Sequence, residues 1–195
     1  FQKQLEIEQF QKQLNEVKLE VLRAQMNPHF IFNSLNSIDN FILKNDKRSA
    51  SEYLHTFSKL IRNTLDSSRN ELVPFTKDFE TIKWYVALEQ MRFRHIFAFE
   101  TKIDEHILNN NMMVPPMLVQ PFIENAIIHG LIPCERTDLT LGFEAIIRGN
   151  AIHYTITDNG IGRKASQSYK SLNMRKSEGI SITTQRLKIH NGSLY

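Results

Sequence analysis

Apolar residues recur at alternating steps of three and four along the N-terminal part of the chain, and the pattern does not slip. The residues that hold this spacing are Ile7, Phe10, Leu14, Val17, Val21, Ala24, Pro28, Ile31, Leu35, Ile38 and Ile42. This spacing is typical of the a and d positions of a coiled coil, so it predicts one long amphipathic helix. A proline inside a helix removes a backbone donor and costs about 3 kcal/mol or more. We therefore predict a helix that reaches about Leu43 and bends near Pro28.

His29 directly follows this proline, within the segment 27–33. A proline that bends a helix is costly, so its presence beside a histidine indicates that the bend and the imidazole serve the function of the protein. His29 is therefore a candidate functional residue. The alternative is a kinked bundle helix that carries an ordinary exposed histidine. This segment by itself leaves both interpretations open.

A second helix is expected after Asn45-Asp46, where Asp46 or Ser49 can cap its first turn. Its apolar residues again follow three-four spacing: Ala50, Tyr53, Leu54, Phe57, Leu60, Ile61, Thr64 and Leu65. Two helices joined by a short turn cannot bury both apolar stripes alone. We therefore predict a parallel homodimer in which two hairpins form a four-helix bundle. The alternative is a monomer whose hairpin folds against its own C-terminal domain.

Composition narrows the class of protein. With 195 residues, 41% of them hydrophobic, the chain can bury a substantial core. Lys and Arg number 24 against 21 Asp and Glu, without one long basic run, so charge gives no indication of nucleic-acid binding. Cys134 is the only cysteine, which excludes an intramolecular disulfide and a cysteine-based zinc site. No apolar stretch approaches the ~20 residues that a membrane-spanning helix needs.

Glycine divides the chain, because all seven glycines lie at position 130 or beyond. The first part is therefore expected to be helical and the second to mix strands with loops. The predicted elements are a helix capped by Thr76 and reaching about Phe93, a strand over 96–103, a helix over 117–129 stopped by Gly130 in the C′ position, strands over 139–147 and 152–156, and a helix over 180–189. Helices on one face of an antiparallel, hairpin-rich sheet define an α+β sandwich.

Polar residues cluster near the end of the helix over 117–129. Asn125 and His129 are four residues apart and share a face, while Glu124 lies about 100° around the helix. Such a cluster favours a binding site. An ordinary amphipathic helix explains the same residues if no second motif accompanies them.

The second motif is Asp158-Asn159-Gly160-Ile161-Gly162, where a predicted strand ends. A carboxylate in line with buried strand residues is costly unless it meets a partner. Asp158 can accept a hydrogen bond from the amine of adenine but faces the carbonyl oxygen of guanine unfavourably, which favours ATP over GTP. Gly160 and Gly162 let backbone approach a ligand closely.

The segment 163–178 is basic and rich in serine, and Gly179 then precedes the last helix. Backbone amides at a helix N-terminus bind phosphate, and a lid that carries Lys164 with other basic residues can close over a triphosphate. A solvated loop is the alternative. The sequence contains no P-loop motif.

Together these motifs resemble a known family. Residues 25–36, with Pro28-His29-Phe30 and Asn33, resemble the phosphoacceptor box P-H-F-x-F-N of sensor histidine kinases of the LytS/YehU type. Residues 121–126 with His129-Gly130 are similar to the N box of these kinases. Residues 158–162 are similar to their first glycine box, and Gly179 with Arg186-Leu187 resembles the second.

The resemblance implies a coiled-coil signalling helix over 1–27 and a dimerisation and phosphotransfer hairpin over 22–70. An ATP-binding catalytic domain of the GHKL fold (gyrase, Hsp90, kinase, MutL) would occupy 71–195. Two departures bear on this domain: the second glycine box has one glycine, and the strands that usually follow the last helix are not in the sequence. The ATP-binding domain is therefore expected to be incomplete at its C-terminus.

The same resemblance implies that ATP phosphorylates His29 and that the phosphoryl group passes to an aspartate of a response-regulator receiver domain. Asn125 would hold Mg²⁺, and the nucleotide would contact His129, Asp158, Gly160, Gly162, Lys164 and Gly179. Glu124 would either order Mg²⁺-bound water or act as a base. The base for His29 stays unassigned because Phe30, not an acid, follows it. Asn33, one turn after His29, is expected to position water that hydrolyses the receiver phosphate.

The expected partners are a second copy of the chain and the receiver domain, with no nucleic acid. The chain would be the cytoplasmic portion of a bacterial plasma-membrane sensor, attached to the membrane only through an upstream segment. Two other functions remain open at this point. One is an ATP hydrolase or ATP-driven clamp of the same fold, and the other is a dimeric interaction module that binds no nucleotide.

Overall fold

The computed structural model describes residues 28–94 and 96–162. These residues separate into two compact units, one that ends at Ser68 and one that begins at Arg69. The predicted coiled coil over 1–27, the basic segment over 163–178 and the last helix lie outside the described residues. Within the described part, no helix is both long and apolar enough to cross a bilayer.

The first unit is a helical hairpin. Helix α1 runs over Pro28–Leu43 and helix α2 over Lys47–Ser67. The turn between them places Asn45 in the left-handed region, with φ of 57°. Asp46 caps α2, since its Oδ1 accepts the backbone N–H of Ser49 at 3.1 Å. These hydrogen bonds from Ser49 hold the pKa of the Asp46 carboxyl below its usual value. The predicted hairpin and its cap are confirmed.

The two helices contact each other through a mixed aromatic and hydroxyl face. The Tyr53 hydroxyl donates to Ser34 Oγ at 3.3 Å, and both residues are fully buried. The Phe30 and Phe57 rings lie 6.2 Å apart, and the Phe41 and Tyr53 rings 6.0 Å apart. A buried hydroxyl pair is satisfied only when both partners are in place, so this face fixes how α1 packs on α2.

The predicted a and d residues of α1 lie largely on a different face. Leu35 is 51% exposed and Ile42 is 59% exposed, and the neighbouring Phe32 is 67% exposed. On α2, Leu54 and Leu65 are 50% and 40% exposed. The hairpin therefore packs its Phe30–Ser34–Phe41 face between the two helices and leaves Leu35 and Ile42 of the predicted seam exposed.

The second unit mixes helices and strands, so the predicted α+β class is confirmed. Its elements are β1 (Val73–Pro74), α3 (Phe75–Arg92), β2 (Phe97–Ile103), α4 (Glu105–Asn109), β3 (Met113–Val114), α5 (Gln120–Asn125), a π-helix (Ala126–Leu131), β4 (Leu139–Arg148) and β5 (Ala151–Asp158). Among the described residues, β1 and β3 form a small antiparallel ribbon, and the main sheet has the order β2-β4-β5.

The main sheet is mixed rather than purely antiparallel. Strands β4 and β5 form the predicted antiparallel hairpin, with Leu141 opposite Asp158 and Arg148 opposite Ala151. Strand β2 runs parallel to β4, with Phe97 opposite Leu139, which the sequence did not predict. The segment 104–138, which contains several helices, is long enough for the crossover that parallel strands need.

Helix α3 covers one face of the sheet. The alternating residues Leu139, Leu141, Phe143 and Ala145 of β4 are buried, as a half-buried strand requires. The Phe79 ring of α3 stacks on Phe143 at 5.2 Å. This apolar layer is the core that holds the ends of β4 and β5 in place.

The start of α3 differs from the prediction that Thr76 caps it. The cap residue is Pro74, without a side-chain hydrogen bond to the helix. The N–H of Phe75 donates to the carbonyl of Met112 at 2.7 Å. Because pairing of β1 with β3 extends to Pro74, the helix begins directly after the strand and leaves no room for a polar cap.

Glu89 is a buried acid on α3 and gives the unit a pH dependence. Its side chain is 1% exposed, and Arg92 lies 3.2 Å away. Burial raises the pKa of this carboxyl above its ordinary 4.5, and Arg92 only partly offsets the effect. The folded state therefore holds the proton more tightly than the unfolded state, so the contribution of Glu89 to stability falls as pH rises from about 4.5 through the folded pKa.

We expect Glu89→Gln to remove this pH dependence. The thermal midpoint is measured by circular dichroism. Between pH 4.5 and 7, the midpoint of the variant minus that of the wild type should increase, on the order of a few degrees. Glu80→Gln is the matched control, because Glu80 is on the same helix and 49% exposed. Equal slopes for wild type and Glu89→Gln would contradict the expectation.

Candidate functional site

The helix that carries Glu124, Asn125 and His129 is partly a π-helix. The α-helical part covers only Gln120–Asn125, and Ala126–Leu131 forms a π-helical turn, in which the N–H of Ile132 donates to the carbonyl of Ile127 at 3.0 Å. π-helical turns inside helices occur frequently at functional sites. The predicted helix over 117–129 was therefore wrong in its start, in part of its type and in its end.

The late start of this helix has a local cause. Met117 adopts a left-handed conformation with φ of 56°, which no helix can include. The buried carboxylate of Asp78 accepts the N–H of Met117 at 2.7 Å and holds it there. Helix α3 thus fixes where α5 begins.

Gly130 is not the helix stop that the sequence predicted. It lies inside the π-helical turn, and its carbonyl accepts the N–H of Ile161 at 3.1 Å. A Cβ on Gly130 would lie 2.6 Å from Oδ1 of Asp158, and a Cβ on Gly160 would overlap the Gly130 carbonyl. Glycine is therefore needed at 130 and 160 because the two predicted motifs pack directly against each other.

Asp158 is the last residue of β5. Its Oδ1 accepts the N–H of Gly160 at 3.1 Å, which closes the turn and leaves Oδ2 for another donor. Asp158 is exposed, and Ile152, Tyr154 and Ile156 are only half-buried. The expectation of a carboxylate in a buried row was therefore wrong, since this edge of the sheet opens to solvent.

The three polar residues of the N box are all half-buried. Glu124 accepts a hydrogen bond from Nε2 of Gln120 at 3.1 Å. The amide nitrogen of Asn125 donates to the carbonyl of Pro121 at 2.6 Å. His129 lies within the π-helical turn, one residue before the glycine that contacts Asp158. The second unit thus brings the N box and the Asp158 turn together.

Residues that no sequence pattern indicated hold this turn from the other side. Asn159 bridges to the start of β4 through its side chain, and Arg136 pairs with Asp138 and reaches the Asn159 carbonyl. Gln120, beside Glu124, was also missed. The sequence does show an amide, Asn159, directly after the strand, and two opposite charges, Arg136 and Asp138, two residues apart. Both features are common in ordinary turns, so neither indicated a functional role.

His29 and Asn33 belong to the first unit. His29 is exposed near the start of α1, and Nδ2 of Asn33 lies 3.2 Å from its Nδ1 and 3.3 Å from its Nε2. An amide nitrogen can donate only to a ring nitrogen that carries no proton. At most one of the two contacts can therefore be a hydrogen bond.

Of the three remaining predicted site residues, only one lies within the described part of the chain. Gly162 is exposed with φ of 76°, a conformation that favours glycine. Lys164 and Gly179 lie outside the described residues.

The site fits a magnesium nucleotide. The side-chain oxygen of Asn125, Oδ1, can bind a cation, because the amide nitrogen Nδ2 is the atom that donates to the carbonyl of Pro121 in the same helix. Among the described residues, no three histidine, cysteine or acidic side chains form a metal cluster. Mg²⁺ binds oxygen and keeps several waters, so one protein oxygen with water and phosphate suffices.

Comparison with known proteins agrees with these motifs. The sequence model of the family described as histidine kinase matches residues 17–97. The chain is 33% identical over 162 residues to the sensor histidine kinase YpdA of Escherichia coli, a match that covers 82% of this chain and 28% of that protein. It is also 33% identical over 165 residues to the sensor protein LytS of Staphylococcus haemolyticus, covering 83% of this chain and 28% of that protein.

These similarities, with the motifs in their expected order, identify a chain of the histidine kinase class. The chain belongs to the sensor histidine kinases of the LytS/YehU type. It spans 28% of the length of the two relatives described above.

Proposed function

We propose that this chain is the kinase portion of a two-component sensor, in which ATP phosphorylates His29 and the phosphoryl group then passes to a response-regulator aspartate. The observation that carries this proposal is the direct packing of Gly130 against Asp158 and Gly160. It joins two motifs, far apart in sequence, into one surface suited to a nucleotide. An exposed histidine on a separate helical hairpin supplies the acceptor.

The uncovered seam of the hairpin supports a homodimer. Phe32, Leu35 and Ile42 are each more than half exposed, although they lie in or beside the heptad pattern. Burying apolar side chains of this size is worth about 1.5–3 kcal/mol each. Pairing two hairpins through this seam gives the four-helix bundle and puts two copies of His29 on its surface.

In the proposed nucleotide site, the contacts of Asp158 and Asn125 support their roles, and the other roles follow from the family resemblance. Oδ2 of Asp158 accepts the adenine amine, while Oδ1 is held by Gly160. His129 contacts phosphate, as do Lys164 and the backbone at Gly179. Oδ1 of Asn125 would hold Mg²⁺, which would supply charge neutralisation at the phosphates.

Phosphoryl transfer needs mainly positioning and charge neutralisation. The lone pair of one neutral His29 nitrogen attacks the γ-phosphorus in line; a nitrogen–phosphorus bond forms as the bond to the β–γ bridging oxygen breaks, and ADP leaves. The proton on the other ring nitrogen is then lost to solvent or to a base, and no residue is assigned to that step. Glu124, which accepts a hydrogen bond from Gln120, would order water at the Mg²⁺ or act as a base.

The deciding experiment is incubation of the full-length protein with γ-labelled ATP and Mg²⁺, followed by mapping of the labelled side chain. Label on His29 supports the proposal. Release of free phosphate without phosphohistidine indicates instead an ATP hydrolase or clamp. Absence of nucleotide binding by calorimetry leaves a dimeric interaction module.

The proposal extends to location and partners. As the kinase portion of a sensor, the chain is expected in the bacterial cytoplasm, joined to the plasma membrane only through an upstream segment. Its partners are a second copy and a receiver domain. Nucleic acid is not among them, in line with the small net charge of +3.

Asn33 is expected to act in the reverse reaction. Its amide lies within hydrogen-bonding distance of both ring nitrogens of His29, close to where a receiver phosphate would stand during transfer. We expect Asn33→Ala to slow dephosphorylation of the phosphorylated receiver about tenfold or more, because the attacking water loses its orientation.

The measurement is loss of label from purified phospho-receiver in the presence of the kinase. Asn40→Ala is the matched control, since Asn40 is also an exposed amide on α1. Unchanged phosphatase activity in Asn33→Ala would remove this role.

A further inference from the structure

The turn 158–162 is held from outside the nucleotide site by the side chain of Asn159. Its Oδ1 accepts the N–H of Thr140 at 2.8 Å, and its Nδ2 donates to the carbonyl of Asp138 at 2.7 Å. The last paired residues of the strands are Asp158 and Leu141, and beyond them the backbone N–H of Asn159 still donates to the carbonyl of Thr140 at 3.4 Å. The Asn159 side chain adds two bonds to this long backbone bond. Both ends of the amide are engaged with backbone.

Only an amide of this length satisfies both neighbours. The Thr140 N–H can only donate and the Asp138 carbonyl can only accept, so the side chain must offer an acceptor and a donor together. An aspartate is isosteric but lacks the donor. It would also place a negative charge beside a carbonyl oxygen.

Arg136 completes the attachment. Its Nε donates to Oδ1 of Asp138 at 2.9 Å, its Nη2 donates to Oδ2, and its Nη1 donates to the Asn159 carbonyl at 3.4 Å. The guanidinium holds the pKa of the Asp138 carboxyl below its usual value. An exposed ion pair alone contributes little to the free energy of unfolding. Here the guanidinium of Arg136 also connects the loop before β4 to the turn 158–162.

The opposite side of the turn rests on the N box. The N–H of Ile161 donates to the Gly130 carbonyl, and Gly160 packs against the same backbone. Asp158, whose Oδ1 is tied to Gly160, therefore takes its position from two anchors. One is the N box, and the other is the group formed by Arg136, Asp138 and Asn159.

We propose that Asn159, completed by Arg136, is a positioning residue that sets the place of the Asp158 carboxylate and so governs the affinity for ATP and its preference over GTP. This inference rests on the proposed function. Neither residue contacts the nucleotide in this account. They act through Asp158, so their loss should alter binding and base selectivity while the chemical step is retained.

The test is the initial rate of autophosphorylation of the full-length protein over a range of ATP or GTP concentrations, each with Mg²⁺. Its dependence on nucleotide concentration gives KM, and its maximum per His29 gives kcat. We expect Asn159→Asp to raise KM for ATP about tenfold, equivalent to the loss of one well-formed hydrogen bond, with kcat within about twofold of wild type. The ratio of GTP to ATP KM values should fall. Asn150→Asp is the matched control, since it makes the same change at the exposed β4–β5 turn and should leave both constants unchanged.

Arg136→Lys provides a second variant that does not depend on the first being folded. It keeps the positive charge but loses the fork, so KM for ATP should rise about two- to threefold. Wild-type KM values and an unchanged base preference in the folded variants would overturn the proposal, even if thermal stability fell. A wild-type protein that takes no label from ATP would instead refute the proposed function.

Discussion

His29→Gln is expected to abolish acid-labile, base-stable phosphorylation while ATP binding is retained. Glutamine carries no ring nitrogen that can attack the γ-phosphorus, and the variant therefore has no acceptor. Because His29 is exposed, the substitution should change the free energy of unfolding by no more than about 0.5 kcal/mol. The measurement is incorporation of γ-labelled phosphate, with calorimetric titration of an ATP analogue in parallel.

His55→Gln is the matched control for this experiment. His55 is also an exposed histidine on the hairpin, in α2 rather than α1. Its variant should incorporate label like the wild type. Label that persists in His29→Gln, or disappears in His55→Gln, would move the acceptor to another residue.

Gly130→Ala is expected to weaken nucleotide binding by more than tenfold without unfolding the protein. The new Cβ would lie 2.6 Å from Oδ1 of Asp158, and the side chain of Asp158 can swing away more easily than backbone can shift. The displaced carboxylate would then lose the hydrogen bond that we propose it makes to adenine, and hydrogen bonds to charged groups are worth about 1.5–3 kcal/mol. Calorimetry with an ATP analogue measures the effect, and thermal denaturation checks the fold.

Gly142→Ala tests whether crowding alone explains such a loss. A Cβ at this position of β4 also meets a side chain, the hydroxyl of Thr157, but no proposed ligand group. The variant should be destabilised to a similar degree and bind the analogue like the wild type. Equal affinities for Gly130→Ala and wild type would separate Asp158 from nucleotide recognition.

Local signals predicted the elements that local chemistry determines. Asp46 caps α2 as expected, because a short carboxylate directly before a helix can accept a hydrogen bond from an unpaired backbone N–H of the first turn. The β4–β5 hairpin follows from its alternation and from the turn at Gly149, whose φ is 60°. The proximity of Asp158 to the N box was expected only from the family resemblance, since no local rule joins two segments so far apart.

The errors arose where distant segments override local patterns. The π-helical turn shares its apolar spacing with an α-helix, so periodicity could not reveal it. The start of α5 depends on Asp78, which is far away in sequence. Asn159 looked like any turn amide until the structure placed it against Thr140 and Asp138. Each of these features depends on tertiary contacts and has no local sequence signature.

The parallel pairing of β2 with β4 has a consequence for how this protein is made. Strand Phe97–Ile103 leaves the ribosome well before Leu139–Arg148, the strand that lies against it. Contacts between such distant segments form slowly, and an unpaired strand is prone to wrong association. Nascent chains that end before β4 should therefore carry a finished helical hairpin followed by a sheet that cannot yet assemble.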